Sequence, residues 1–178
     1  MEIIQEHDIR SETLCDIAKK MLLAARTAPK GKGQDHMVLS MMQGDEIKRV
    51  SERLTELGQK YDHKGFLRDA KNILAAPVVL LFGTKIQSIG LTVCGMCGFT
   101  NCSEKDAHPS VPCVFNTGDL GIAIGSAVSV AMDYRVDNRI MYTVGQAVLD
   151  LKLLGDDVKI VYAIPLGADS KNPFFDRG

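Results

Sequence analysis

The stretch that decides the fold class is Val78-Val79-Leu80-Leu81-Phe82, a continuous apolar run just after Pro77. A run of this kind, without polar residues at alternate positions, predicts a strand that is buried on both faces of a sheet. Such a strand requires covering elements on each side. The rest of the chain should therefore supply helices in alternation with a few other strands.

The flanking sequence supplies those helices and strands. On the N-terminal side we predict a first helix with Ser11 as its N-cap, a short strand over 37–42, a helix with Asp45 as its N-cap that stops at Gly58, and a helix over about 66–75. On the C-terminal side we predict a helix that opens at Asp119, a helical stretch over 143–154, and a last strand over 158–164. The first helix carries an apolar stripe of Leu14, Ile17, Ala18, Met21, Leu22 and Ala25. The alternation indicates an α/β or α+β fold.

A cysteine-rich segment interrupts this alternation between about Gly90 and Asn116. Its four cysteines, Cys94, Cys97, Cys102 and Cys113, have the spacing C-x2-C-x4-C-x10-C. Four thiolates in twenty residues can close on one small object, and a cubane offers one iron corner to each. We therefore favour a [4Fe–4S] cluster held by these four residues.

Two glycines support the cluster interpretation, and three alternative roles for the cysteines stay open. Gly95 and Gly98 each follow a cysteine, where they permit a positive φ and let backbone N–H groups approach the sulfurs. A zinc site with four thiolates, or with three and His108, is the main alternative, although a second CxxC pair is missing. A [2Fe–2S] cluster and a disulfide pair are weaker alternatives, the latter because no secretory signal is evident.

A second unusual segment lies after the first helix, at Arg26-Thr27-Ala28-Pro29-Lys30-Gly31-Lys32-Gly33-Gln34-Asp35. Its glycines expose backbone N–H groups and its cations supply positive charge, so it suits a phosphate group as well as it suits a solvated basic loop. The fifth cysteine, Cys15, lies on the flank of the apolar stripe, and we interpret it as a core residue. The isolated histidines His36, His63 and His108 do not indicate a catalyst.

Composition limits the function classes. The chain has 178 residues, 46% of them hydrophobic, and a net charge of −1. We expect one domain over 1–178 with a cysteine-rich insert at 90–116 inside it. Without a block of basic residues or a long apolar run, neither nucleic acid nor a membrane is an expected partner, and a cytoplasmic location is expected.

Three segments carry a resemblance to known families. They are Ala25 to Gly33, the cysteine run, and Gly118-Asp119-Leu120-Gly121-Ile122-Ala123. Over essentially its whole length the chain resembles bacterial and archaeal uncharacterised proteins with a ferredoxin domain. Its flanks are similar to the FMN-dependent nitroreductases, and the cysteine run is similar to the cluster domains of corrinoid iron–sulfur proteins.

The resemblance to nitroreductases implies an α+β sandwich, an intertwined homodimer and bound FMN. The implied FMN-binding residues are Arg26, Thr27, Lys30 and Lys32, with Arg177 or Lys171 as the terminal cation. Here lysines stand where those enzymes have a second arginine, and lysine lacks the bidentate fork of arginine.

Two functions are consistent with these observations. The first is an iron–sulfur electron-transfer protein or oxidoreductase, in which the cluster and FMN serve an acceptor that the sequence does not identify. The second is a non-catalytic dimeric binding module in which zinc or a structural cluster staples the insert.

Overall fold

The fold is built around one long strand that is buried on both faces and has an antiparallel neighbour on each side. In the computed structural model, which describes residues 3–175, the sheet has four strands in the order β1-β2-β4-β3. The strands are β1 (Met37–Gln43), β2 (Val78–Lys85), β3 (Asp137–Asn138) and β4 (Val158–Gly167). Every neighbouring pair is antiparallel. The predicted strand at 78–82 is thus confirmed as the centre of the sheet, and it continues to Lys85.

Five of the six α-helices that the structure describes cover the sheet, and the short fourth one lies in the cysteine segment. The six are α1 (Glu6–Thr27), α2 (Asp45–Lys60), α3 (Lys64–Ile73), α4 (Cys102–Asp106), α5 (Val114–Asp133) and α6 (Tyr142–Asp150) within the described part of the chain. Alternate residues of β2 point to opposite faces, which explains the two hydrophobic clusters. Val78, Leu80 and Phe82 pack with α1 and α5. Val79 and Leu81 pack with α2, α3 and α6.

Several predicted boundaries were wrong by a few residues. The first helix begins at Glu6, with Gln5 rather than Ser11 as its N-cap. The second helix has Gly44 as its N-cap and continues past Gly58 to Lys60. Gly58 does not end that helix because its role is packing: an added Cβ would lie 2.7 Å from the side chain of Leu67.

The largest difference lies at α5. This helix begins at Val114, five residues before Asp119, so the irregular insert ends earlier than predicted. At 20 residues, α5 is long and apolar enough to cross a membrane by length and composition alone. Only 39% of its most apolar window is buried in the chain. A single helix of this kind is weak evidence for a membrane, because core helices of soluble proteins pass the same test.

The fold predicts a strict requirement for glycine at position 145 of α6. A Cβ at Gly145 would lie 1.9 Å from the carbonyl oxygen of Val161 in β4, and backbone cannot move aside as a flexible side chain can. We expect Gly145→Ala to lower the free energy of unfolding by about 3 kcal/mol, measured by urea denaturation. Gln146→Ala, at the exposed neighbouring position, is the matched control and should change it little. Equal effects of the two substitutions would contradict the close helix–sheet contact.

Candidate functional site

The basic loop after α1 is held at its base by ionic contacts within itself. The Lys30 ammonium donates to the carbonyl oxygens of Ala25 (2.8 Å) and Arg26 (2.6 Å), the last carbonyls of α1. This is the favourable position for a cation, at the negative end of a helix. The Arg26 guanidinium donates to Asp35 at 2.6 Å, and Lys30 lies 3.8 Å from the same carboxylate.

These contacts divide the loop's cations into two groups. The Lys30 side chain is only 5% exposed and is committed to the end of α1, whereas that of Arg26 is 47% exposed. Lys32 is exposed and has a positive φ of 54°, and its ammonium donates to the carbonyl oxygen of Gly90. The Thr27 hydroxyl donates to the carbonyls of Leu23 and Ala24 in its own helix.

The loop is anchored to the N-terminal part of α5. The Gly31 N–H donates to both carboxylate oxygens of Asp119, at 3.1 and 3.0 Å, and Asp119 is buried. A Cβ at Gly31 would lie 2.8 Å from the side chains of both Ile89 and Phe115. The loop, the segment after β2 and the start of α5 therefore form one packed unit.

The cysteine segment extends from this unit. Cys113 is buried and is the N-cap residue of α5, while Cys102 is half-buried at the start of α4. Cys97 is half-buried and Cys94 is exposed. Gly95 and Gly98 have φ values of 79° and 90°, so the predicted positive φ is confirmed at both positions. In this conformation the N–H of Gly98 donates to the carbonyl of Gly95, which closes a tight turn around Cys97.

The donor chemistry of this segment fits an iron–sulfur cluster. All four thiols are free, and they lie on one connected segment with two positive-φ glycines. Within residues 3–175, however, no three histidine, cysteine or acidic side chains are grouped as they would be around a metal ion. The thiols share a segment, but their side chains do not converge on one position. The ligand assignment therefore stays a prediction for Cys94, Cys97, Cys102 and Cys113.

Four other residues that the sequence analysis singled out remain to be placed, namely Cys15, His108, Lys171 and Arg177. Cys15 is buried in the cluster of α1 and α5, and its sulfur accepts a hydrogen bond from the side-chain amide of Gln43, so its interpretation as a core residue is confirmed. Burial raises the pKa of the Cys15 thiol. The ring of His108 stacks on the ring of Phe99, with 5.1 Å between the ring centroids. Arg177 lies outside the described residues, and Lys171 is exposed between β4 and the short helix at Pro173–Phe175.

Sequence reasoning missed the polar residues that connect the segments. Asp119 was interpreted as the start of a helix, although its carboxylate holds Gly31. Asn116 accepts a hydrogen bond from the N–H of Gln87, and Asp106 accepts one from Ser88. One signal was present: Cys113, Asn116 and Asp119 follow one another at a spacing of three, which places them near one face of a helix.

The comparisons with known proteins give the family. A family model described as "Uncharacterized protein containing a ferredoxin domain (DUF2148)" matches residues 110–177. An uncharacterised protein of Archaeoglobus fulgidus is 37% identical over 98% of this chain and 97% of its own length. This chain therefore belongs to the family of uncharacterised proteins that contain a ferredoxin domain.

Solved structures give the fold of this ferredoxin-domain protein. A nitroreductase with bound FMN from Bacteroides fragilis has a TM-score of 0.59 at 13% identity, over 87% of this chain and 77% of its own. A nitroreductase with bound FMN from Desulfitobacterium hafniense has a TM-score of 0.59 at 14% identity, over 96% and 81%. The predicted α+β, nitroreductase-like fold is confirmed. Identities this low establish the fold alone.

The contacts of Asp35 predict that its ionised carboxylate stabilises the folded protein and that this stabilisation is lost in acid. Burial would raise the pKa of Asp35, but hydrogen bonds from Arg26 and the Met37 N–H, with the charges of Arg26 and Lys30, outweigh burial and hold it below its ordinary value of 3.8. The ionised form is therefore favoured by folding. Its contribution is present above pH 3.8 and is lost as the pH falls through the lowered value.

We expect Asp35→Asn to lower the free energy of unfolding by about 1–2 kcal/mol at pH 7. The gap between this variant and the wild type should close as the pH falls below 3.8, measured by urea denaturation across pH. Glu52→Gln, which removes an exposed carboxylate from α2, serves as the control with the same change of charge. A gap that stays constant from neutral to strongly acidic pH would show that Asp35 does not act through its charge.

Proposed function

We propose that this ferredoxin-domain protein is an iron–sulfur electron-transfer protein or oxidoreductase. Cys94, Cys97, Cys102 and Cys113 hold a [4Fe–4S] cluster, and the loop after α1 holds FMN. When bound, the cluster supplies one-electron chemistry and the flavin supplies two-electron reduction of a small acceptor. The family description and the fold shared with FMN-bound nitroreductases support a redox role in general terms.

The observation that carries the proposal is the contact between the basic loop and the cysteine segment. The Lys32 ammonium is 3.1 Å from the carbonyl oxygen of Gly90, at the start of the insert. Gly31 is fixed to Asp119, in the second turn of the helix that Cys113 caps. A binding module stapled by zinc would not require these two segments to touch, whereas electron exchange requires two redox groups to lie close together.

Residues at the end of α1 and in the loop after it would bind and orient a flavin phosphate. Arg26 is half-exposed and oriented by Asp35, and exposed Lys32 stands at the insert, so both can meet an anion. Thr27 adds a hydroxyl at the end of α1. Lys30 would help flavin binding indirectly, because its buried ammonium holds the end of α1 in place and is not exposed to a ligand. Arg177, as the terminal cation, remains part of the proposal.

The cysteine segment would close on its cluster. Cys113 is fixed at the N-terminus of a 20-residue helix, where negative charge is favoured. Cys94 is exposed, and the positive-φ glycines allow the turn that carries it to adjust. Because ligand binding and ordering of such a segment are coupled, we expect cluster assembly to draw the exposed end of the insert toward Cys113.

The active form in this proposal is a homodimer through α5. Its outward side carries Gly121 and Gly125, at neither of which an added Cβ would meet an atom within 4 Å. Beside them lies an apolar groove of about 330 Å³ lined by Leu120, Ile124, Ile140 and Tyr162, among others. Ile122 and Met132 are exposed on the same helix. A second copy of the chain would cover this surface, as the resemblance to nitroreductases implies.

The test of function is the visible spectrum of protein purified without oxygen, with iron and zinc measured on the same sample. We expect a broad brown band that bleaches with dithionite, together with flavin peaks. Cys97→Ser should lose most of the iron because it removes one thiolate ligand, and Cys15→Ser is the matched control that should keep it. A colourless protein that contains zinc would replace electron transfer by the binding-module function, and equal iron loss in both variants would refute the ligand assignment.

A separate measurement tests the dimer. Gly125→Leu adds a large side chain where the single chain leaves open space, so it should leave the far-ultraviolet circular dichroism unchanged and shift the protein from dimer to monomer. Size-exclusion chromatography with light scattering gives the mass directly. Gln146→Leu, on the exposed side of α6, serves as the control for added apolar surface. A wild-type protein that is monomeric at all concentrations would rule out the dimer.

A further inference from the structure

The cysteine segment contains two buried nitrogen-bearing side chains that the proposed function has not used. Lys105 and Asn116 are each 2% exposed. Each follows a cysteine of the run by three residues, Lys105 after Cys102 in α4 and Asn116 after Cys113 at the start of α5. Residues three apart on a helix are neighbours on one face, with Cβ atoms about 5–6 Å apart. Both residues are therefore close neighbours of a predicted ligand, and the backbone N–H of Asn116 donates to the carbonyl oxygen of Cys113 at 2.9 Å.

Asn116 has one polar atom with a partner and one without. Its side-chain oxygen accepts a hydrogen bond from the N–H of Gln87 at 3.0 Å. Its Nδ2 is buried and has no hydrogen-bond partner within the part of the chain that the structure describes. A buried donor left unpaired costs about 1–3 kcal/mol, so this position calls for an acceptor that the protein atoms do not supply.

Lys105 is a buried cation whose ion pair with Asp106 lacks a direct hydrogen bond. Its ammonium lies 3.6 Å from the carboxylate of Asp106, beyond hydrogen-bond distance, and that side chain is 58% exposed and itself accepts from Ser88. An ammonium carries three donors. A buried cation is costly unless compensating charge lies nearby. The exposed Asp106 carboxylate supplies one opposite charge, and a thiolate-bound iron–sulfur cluster, which is anionic, would supply a second.

We propose that Lys105 and Asn116 donate hydrogen bonds to the sulfur atoms of the cluster and thereby set its reduction potential. This inference rests on the proposed function, because it requires the cluster. The donors stabilise negative charge on the sulfurs, and reduction adds an electron to the cluster. Both side chains should therefore raise the reduction potential, Lys105 by charge and hydrogen bonding and Asn116 by hydrogen bonding.

The experiment is a redox titration, under anaerobic conditions, of the iron-loaded protein and three variants. Lys105→Met removes the charge and keeps the length of the side chain. Asn116→Asp keeps an oxygen that can accept from Gln87 but replaces the donor with an acceptor. Lys71→Met, at an exposed position on α3, matches the change of net charge away from the insert. We expect the potential to become more negative in the first two variants and to stay unchanged in the third.

Iron content and stability separate the other outcomes. Iron-free wild-type protein would defeat the proposed function and this inference with it, before any variant is compared. A cluster present with the same potential in all variants would overturn the inference alone. Lower iron occupancy in Lys105→Met, with the metal-free protein as stable to urea as the wild type, would support a role toward the cluster. A marked loss of stability in the metal-free Lys105→Met protein would show that Lys105 acts in folding. That result would overturn the inference as far as it concerns Lys105.

Discussion

The burial of both faces of β2 is the constraint on which the rest of the structure depends. Its apolar residues alternate between two hydrophobic clusters, so neither helix layer can be removed without exposing one face. The antiparallel partners β1 and β4 flank it along its whole length. Gly145 lets α6 approach β4 closely, and the small residues of α5 let that helix pack beside α1 on the other face. The chain leaves β2 at Lys85 and enters the insert from this rigid centre.

The same constraint explains how two distant segments of sequence come together. β2 delivers residues 86–90 to the end of the sheet where α1 has finished and α5 begins. Gly31, Ile89 and Phe115 meet there without room for a further methyl group. The contacts of Gly31 with Asp119 and of Lys32 with Gly90 then follow from packing, and the basic loop and the cysteine segment lie in contact because the core places them together.

The fold could be predicted from the sequence where periodicity and packing agree. The run at 78–82 and the stripe on α1 have unambiguous patterns, and both elements were predicted at the right place. Helix ends were less predictable: Ser11 is a good capping residue, but acidic and basic residues before it continue the helix to Glu6, with Glu6 and Asp8 favourable in the first turn. α5 was predicted to begin late because Cys113 was read as a ligand in irregular structure, and a cysteine can be both a ligand and a helix N-cap.

The site was less predictable because its contacts join residues far apart in the chain. Composition identified the loop cations, but only the fold shows that Lys30 is turned to the end of α1 while Lys32 reaches the insert. Likewise, the cysteine spacing indicates a metal site, whereas the partners of Asn116 and Asp119, which are Gln87 and Gly31, lie too far away in the sequence to be inferred from a pattern.

α5 is the element that can couple a cluster, the loop and a subunit interface. Its first turns carry Cys113, then Asn116 with its tie to Gln87, then Asp119 with its tie to Gly31. Its outward side carries the open glycines. A helix is stiff along its axis, so a ligand that fixes Cys113 also restricts the positions of the loop and of the outward surface. The cluster, the basic loop and the surface that meets the partner subunit would then become ordered together. This favours assembly in one event rather than in three independent ones.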